Sequence, residues 1–142
     1  PSQLTASLVS VTAVKCNNES TGAVDISVSG GVAPYKYKWN NNTELEDLKA
    51  VKAGNYSVTI SDSKGCAQQV MATVTEPGAL IVREESSKNV DCNGNPTGAI
   101  SLTVAGGVSP YQFAWSNGAA TKDVSNLKAG LYSFKVTDAN GC

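Results

Sequence analysis

Residues 16–66 and 92–142 are copies of each other, aligned without a gap and 76 residues apart. Twenty-two of the 51 aligned positions are identical, among them Cys16/Cys92, Trp39/Trp115 and Cys66/Cys142. A fixed period of this length marks tandem domains. It also bounds the fold, because each unit has only one period of chain in which to close its own core. That is the small end of what folds alone, and such domains are often stapled. Two cysteines per unit could supply the staple. The boundary falls near Glu76-Pro77, giving one repeat at 1–76 and a second at 77–142, with Pro1 in phase with Pro77.

Composition narrows the function. The net charge is -1, with six basic and seven acidic residues in the first unit and five of each in the second. No face is forced to be basic, which argues against nucleic acid as a partner. No apolar run approaches membrane-spanning length. Histidine is absent, which removes the commonest general base and a common metal ligand. Cysteine spacings of 50, 26 and 50 contain no Cys-x-x-Cys pair and do not fit zinc. Disulfides formed in an oxidising compartment are the better reading of Cys16, Cys66, Cys92 and Cys142. The chain opens on Pro1 with neither an initiator Met nor a signal peptide, so a processed product or excised piece is expected.

Period-two alternation places the strands. Val24, Ile26 and Val28 alternate with Asp25 and Ser27, and Ile100, Leu102 and Val104 repeat the pattern. Tyr35, Tyr37 and Trp39 alternate with lysines, and Tyr111, Phe113 and Trp115 echo them. Tyr56, Val58 and Ile60 match Tyr132, Phe134 and Val136, while Val70, Ala72 and Val74 make a last strand in the first unit. Leu8–Val14 and Leu80–Val82 read less cleanly as first strands. Glu44–Val51 could form a turn of helix, but Ala120–Leu127 has no helical stripe, so a short strand or irregular crossing is expected at both places.

Turn chemistry separates these strands. Gly30-Gly31 and Gly106-Gly107 permit positive φ ahead of Pro34 and Pro110. Asp62-Ser63-Lys64-Gly65 and Asp138-Ala139-Asn140-Gly141 look like hairpin turns in which Asp caps its own backbone. The fold expected is all-β: two tandem immunoglobulin-like β-sandwich repeats. Tyr35, Trp39 and Tyr56, with Tyr111, Trp115 and Tyr132, are expected to fill the two cores. The second repeat lacks its last strand, because the chain stops at Cys142. An open sheet edge is a pairing hazard, so continuation of the natural protein into further repeats is expected.

Assembled, the motif is Cys-Asn and a turn, then Gly-Gly-x-x-Pro-Tyr-x-aromatic-x-Trp, then Ala-Gly-x-Tyr, then Asp-x-x-Gly-Cys. The second unit carries it as Cys92-Asn93-Gly94, Gly106-Gly107-Val108-Ser109-Pro110-Tyr111, Trp115, Ala129-Gly130 and Asp138 to Cys142. In the first unit Asn18 and Asn42 replace turn glycines and Val51 replaces Leu127. The pattern resembles the SprB repeat family of very large surface adhesins in gliding Bacteroidota. The resemblance implies export by the type IX route, display on the outer cell surface and a part in adhesion during gliding. It further implies that the repeats are mainly shaft.

Two cysteine pairings are open, and the within-repeat one is the default. Within-repeat bonds, Cys16–Cys66 and Cys92–Cys142, let each repeat close itself and would contribute ~3–4 kcal/mol by restricting the unfolded chain. They require the first turn and the Asp-x-x-Gly-Cys hairpin to share one end of the sandwich. In a seven-strand immunoglobulin-like topology the two lie a strand's length apart, roughly 25 Å, which exceeds disulfide reach. The rival is Cys16–Cys142, which would leave Cys66 and Cys92 for neighbouring repeats.

The remaining candidates have plain readings. Trp39 and Trp115 could be ligand platforms, but alternating strands make them core. Asp62 and Asp138, with Asn140, could help bind calcium, yet the turns lack the ligand density of a calcium loop. Turn capping is preferred, and no cofactor is expected. Glu44, Glu46 and Asp47 read as a solvated acidic face with no counterpart in the second unit. Asn17-Asn18 and Asn40-Asn41-Asn42 could touch carbohydrate but have no aromatic stacked beside them. No nucleophile–base pair, carboxylate dyad or phosphate loop is present.

The reading reached is a non-catalytic segment of a secreted cell-surface adhesin. It acts as a stiff shaft in adhesion and gliding motility. Its partners are expected to be neighbouring repeats, with surface polysaccharide or a solid substrate as further possibilities. The alternative is a carbohydrate- or ligand-binding accessory module of a secreted multidomain protein.

Overall fold

The computed structural model describes residues 2–142; Pro1, which aligns with Pro77, lies outside them. The chain divides into two compact units, Pro1–Glu76 and Pro77–Cys142. Eleven strands and no helix occur among the described residues.

The first unit contains β1 (Thr5–Thr12), β2 (Gly22–Ser29), β3 (Lys36–Trp39), β4 (Leu48–Val51), β5 (Gly54–Ser61) and β6 (Ala67–Val74). They form two antiparallel sheets, ordered β1-β2-β4 and β3-β5-β6. Inward residues of both sheets meet in one core. Val24, Ile26 and Leu48 come from the first sheet; Trp39, Val58, Ile60, Val70 and Val74 come from the second. Alternation decides which side chains these are, since successive residues point to opposite faces. Val70, Ala72 and Val74 are buried, while Met71 between them is exposed. Each buried valine or isoleucine contributes about 1.5–3 kcal/mol by leaving water. The result is an immunoglobulin-like β-sandwich.

The second unit repeats the plan with β7 (Ile81–Lys88), β8 (Gly98–Ala105), β9 (Gln112–Trp115), β10 (Val124–Leu127) and β11 (Phe134–Thr137). Its sheets are β7-β8-β10 and β9-β11. Among the described residues no strand pairs with the outer edge of β11. The effect on packing is direct. Val58 and Ile60 of β5 are fully buried, whereas Phe134 at the position of Val58 is 40% exposed. The core shrinks to Leu102, Trp115, Val124 and Leu127, with partly buried residues around them. The residues that would match Val70 and Val74 fall outside the described residues.

Several local expectations need adjusting. The first strands run Thr5–Thr12 and Ile81–Lys88. Both carry a register shift, between Leu8 and Ser10 and between Glu84 and Ser86. One extra residue turns the side-chain pattern over within an edge strand, which blurs the alternation there. No helix forms at residues 44–51; bends lead into β4, and β10 is its equal in the second unit.

Candidate functional site

The two ends of each repeat carry its cysteines, and side-chain hydrogen bonds fix both ends. At one end of the first unit, Asp62 is buried. Its Oδ1 accepts the N–H groups of Lys64 and Cys66, both at 2.9 Å, and its Oδ2 accepts Val32 N–H at 3.1 Å. Asp138 does the same for Asn140, Cys142 and Val108. Burial of Asp62 opposes ionisation, but N–H donors from Cys66, Val32, Lys64 and Gly65 outweigh it and hold the carboxyl below its usual range. At Asp138 the Cys142 N–H is the largest influence, burial opposes it, and the direction is again down. Both oxygens accept backbone N–H groups, the geometry of a turn cap. Among the described residues no group of three or more acidic, Cys or His side chains is placed to hold a metal ion.

The adjoining glycines show why this end needs its sequence. Gly31 has φ +63°, and a Cβ there would lie 2.9 Å from Asp62 Oδ2. Gly30 has φ +71°, and a Cβ would collide with the carbonyl oxygen of Gln3. Tyr35 Oη donates to the Gly30 carbonyl at 2.6 Å, and Tyr111 to Gly106 at 2.6 Å. Tyr56 and Tyr132 likewise donate to Lys52 and Lys128, both at 2.9 Å. These four tyrosines are half-buried. Their rings lie at the margin of the sandwich and their hydroxyls pin the turns. Trp39 and Trp115 are buried, and each Nε1 donates to a backbone carbonyl, Leu45 or Thr121, at 2.8 Å. Neither indole offers a face to a ligand.

Cys16 sits at the opposite end. The carbonyl of Cys16 closes a turn onto Glu19 N–H at 3.1 Å, as Cys92 does onto Asn95. Asn18 N–H donates to the Glu76 carboxylate at 2.7 Å, beyond the end of β6. Cys66 lies just before the start of β6. The eight residues of β6 therefore separate the two cysteines of the first repeat, roughly 25 Å at strand rise. No disulfide spans that distance. Cys66 and Cys92 are exposed free thiols, while Cys16 and Cys142 are disulfide-bonded. The within-repeat pairings Cys16–Cys66 and Cys92–Cys142 are not formed. The physical reason is the sandwich topology, which sends the two turns to opposite ends.

The departures between the copies are conformationally equivalent. Asn18 has φ 64° where Gly94 has 88°, and Asn42 has φ 66° where Gly118 has 86°. Asn is the side chain that best tolerates this left-handed region.

One functional pair escapes a reading by charge alone. Asp47 Oδ1 accepts the N–H of buried Ile26 at 3.1 Å, and Asp123 Oδ1 accepts that of Leu102 at 3.0 Å. Ladder pairing of β2 with β4 stops at Val24, and the carboxylate continues it. Ser101 Oγ also donates to Asp123, and this bond, followed by that from Leu102, lowers the carboxyl's pKa against a smaller opposing effect of burial. Asp47 is thus not a solvated acidic residue without a counterpart. The repeat offset itself, Asp47 to Asp123, was the available signal.

The polar loops are used internally. Asn40 bonds the backbone of Asn55 and Ser57, and Asn41 and Asn117 each accept a backbone N–H two residues on. One concave patch in the first unit, about 630 Å³, is lined by Tyr35, Lys36, Tyr37, Lys38 and Glu44 among others. At the matching positions the second repeat has Tyr111, Gln112, Phe113, Ala114 and Ala120. The charged groups of the patch are not repeated.

No curated protein matches the chain. The SprB repeat family matches residues 8–44 and 85–120, just over half of the sequence. Each match starts in the first strand of a unit and runs just past its Trp, and the internal symmetry carries the likeness on to the closing Cys. The family is a structural repeat family of cell-surface proteins and is not known for catalysis. Among the described residues no helix is long and apolar enough to cross a membrane. By sequence match, the chain belongs to the SprB repeat family, as two successive copies of an adhesin-like surface repeat.

Proposed function

We propose that the chain is a length of shaft in a secreted outer-surface adhesin, carrying mechanical load during adhesion and gliding. The observation that supports this is the placement of each repeat's cysteines at opposite ends of its sandwich. A staple within one bead would lie across it. Cysteines at both ends suit ties between successive repeats, so that load passes along covalent bonds. The side chains that a ligand site would need are spent on turns and core. Any contact with polysaccharide or a solid surface is then weak and repeated, gaining strength through effective concentration along the array. Neither a cofactor nor a metal enters this role.

Single-molecule extension of the repeats, oxidised and reduced, tests the proposal. Oxidised repeats should unfold at higher force, or release less length, than reduced ones. Identical traces would remove the mechanical reading. The ligand-binding alternative is favoured only by the Tyr35–Lys38 patch of the first repeat. It requires a saccharide that raises the melting temperature of the first unit.

A further inference from the structure

Not every polar side chain is used by turns and core. Strand β3 is the outer strand of its sheet and pairs with β5 alone. Lys36 stands opposite Ser61 and Lys38 opposite Thr59. Trp39, Val58 and Ile60 are buried, so alternation sends these four side chains to the outer face. Among the described residues neither lysine is held in an ion pair. At strand rise their Cα atoms are about 7 Å apart.

The margin of β3 supplies the rest. Asn40 N–H donates to the Ser57 carbonyl across the ladder, whereas Trp39 N–H donates away from it, to Thr43. Backbone groups alternate along a strand, so the Tyr37 N–H and C=O also face outward, on a side that no described strand covers. Tyr35 and Tyr37 are half-buried there. The Tyr35 hydroxyl is tethered to the Gly30 carbonyl, which fixes the ring before any ligand arrives. These residues and Glu44 line the concave patch of about 630 Å³.

The lining combines an aromatic surface, the hydroxyls of Thr59 and Ser61, and a main-chain donor and acceptor at Tyr37. A few convergent polar groups on an apolar surface are what orient a small ligand. Two unpaired lysines against the single carboxylate of Glu44 make the lining net positive. We infer that the first repeat carries a site for an anionic saccharide, whose ring lies against Tyr35 and Tyr37 and whose carboxylate is met by Lys36 and Lys38. An acidic peptide would use the lysines but leave the hydroxyls and the aromatic surface idle. Exposed ion pairs are individually weak, so affinity is low and falls with salt. The second repeat does not share the site. Gln112 and Ala114 stand in place of the lysines and Ala120 in place of Glu44, with Lys135 at the position of Thr59 as its one cation. The inference rests on the ligand reading of this patch and stands apart from the load-bearing role.

The test titrates the 142-residue protein with tetragalacturonate and, in parallel, with uncharged maltotetraose. Backbone NMR should show saturable shifts with tetragalacturonate at Tyr35, Tyr37, Thr59 and Ser61, and none at Gln112–Trp115. Maltotetraose should bind more weakly. Lys36→Gln with Lys38→Ala imports the residues of β9, a strand that the second unit already forms. That variant should bind tetragalacturonate about fivefold or more weakly, the loss expected for two exposed ion pairs. No saturable shifts at millimolar probe overturn the inference together with the ligand reading beneath it. Equal binding of maltotetraose, or an unchanged affinity in the double variant, overturns the anionic assignment and leaves a neutral-saccharide site. Equal binding of a tetraglutamate peptide overturns it in favour of an acidic peptide.

Discussion

Asp62 Oδ1 holds the backbone N–H of Cys66 at 2.9 Å, so one carboxylate fixes the position of a cysteine and the start of β6. Asp138 and Cys142 repeat the bond at 2.9 Å.

The carboxylate makes the fold pH-dependent. The folded pKa of Asp62 is lowered from 3.8, and Asp138 shifts in the same direction. A depressed folded pKa means that the stabilisation is fully present above the unfolded value of 3.8 and is lost as pH falls through the folded one. The melting temperature should therefore fall on acidification below about pH 4. Asp62→Asn with Asp138→Asn should lower it already at neutral pH, since an amide NH2 would face an N–H of Val32 or Val108. The same double variant should flatten the acid limb. An unchanged acid limb in thermal melts would show that other carboxyls dominate it.

Asp47→Ala isolates the side chain that extends the β2 ladder. The N–H of buried Ile26 loses its acceptor, at a cost of about 1–2 kcal/mol. Urea unfolding of the first unit should show it as a lower midpoint with an unchanged slope. Glu44→Ala and Glu46→Ala, placed on exposed bends beside it, should change the midpoint little. Equal effects for all three would return Asp47 to the surface.

Much of this architecture can be read from residue order, and the misses share a cause. Alternation reports which face a residue occupies, so Val24/Ile26, Val58/Ile60 and Trp39 could be placed in the core from the sequence. It does not report what the far end of a side chain touches. Tyr35 and Tyr56 alternate like core residues, yet their hydroxyls reach out to the turns at Gly30 and Lys52. Asp47 stands beside two glutamates of the same charge, and only its recurrence as Asp123 separates it from them. Phe134 follows the inward pattern, but burial also needs a neighbouring strand, and its sheet has two strands where that of Val58 has three. The default of within-repeat cysteine pairs fails, because sequence spacing is blind to which end of a sandwich a turn occupies.

Glycine substitutions should separate backbone strain from collision. Gly65 has φ +85° and open space around a Cβ, so Gly65→Ala should cost only the left-handed penalty, about 1–2 kcal/mol. Gly30→Ala meets the Gln3 carbonyl as well and should cost about 3 kcal/mol or more. Chemical denaturation gives both values. Equal costs would mean that the chain at Gln3 yields freely.

The cysteine arrangement can be read by alkylation under native, non-reducing conditions. Cys66 and Cys92 are exposed free thiols, and exposure governs access by iodoacetamide. Peptide mass spectrometry should find both alkylated, with Cys16 and Cys142 protected because they are in disulfide linkage. After reduction in denaturant all four should label. Protection of Cys66 with Cys16 would require a bond across the length of β6, and with it a different sandwich. The pattern bears on assembly as well. Cys66 lies at the Asp62 end of its own repeat, whereas Cys92 lies in the first-turn motif of its own. Oxidation of the concentrated protein by a small-molecule disulfide should therefore yield chains linked to one another, which reductant reverses. Cys66→Ser should cap that growth, leaving linkage through Cys92 to stop at dimers.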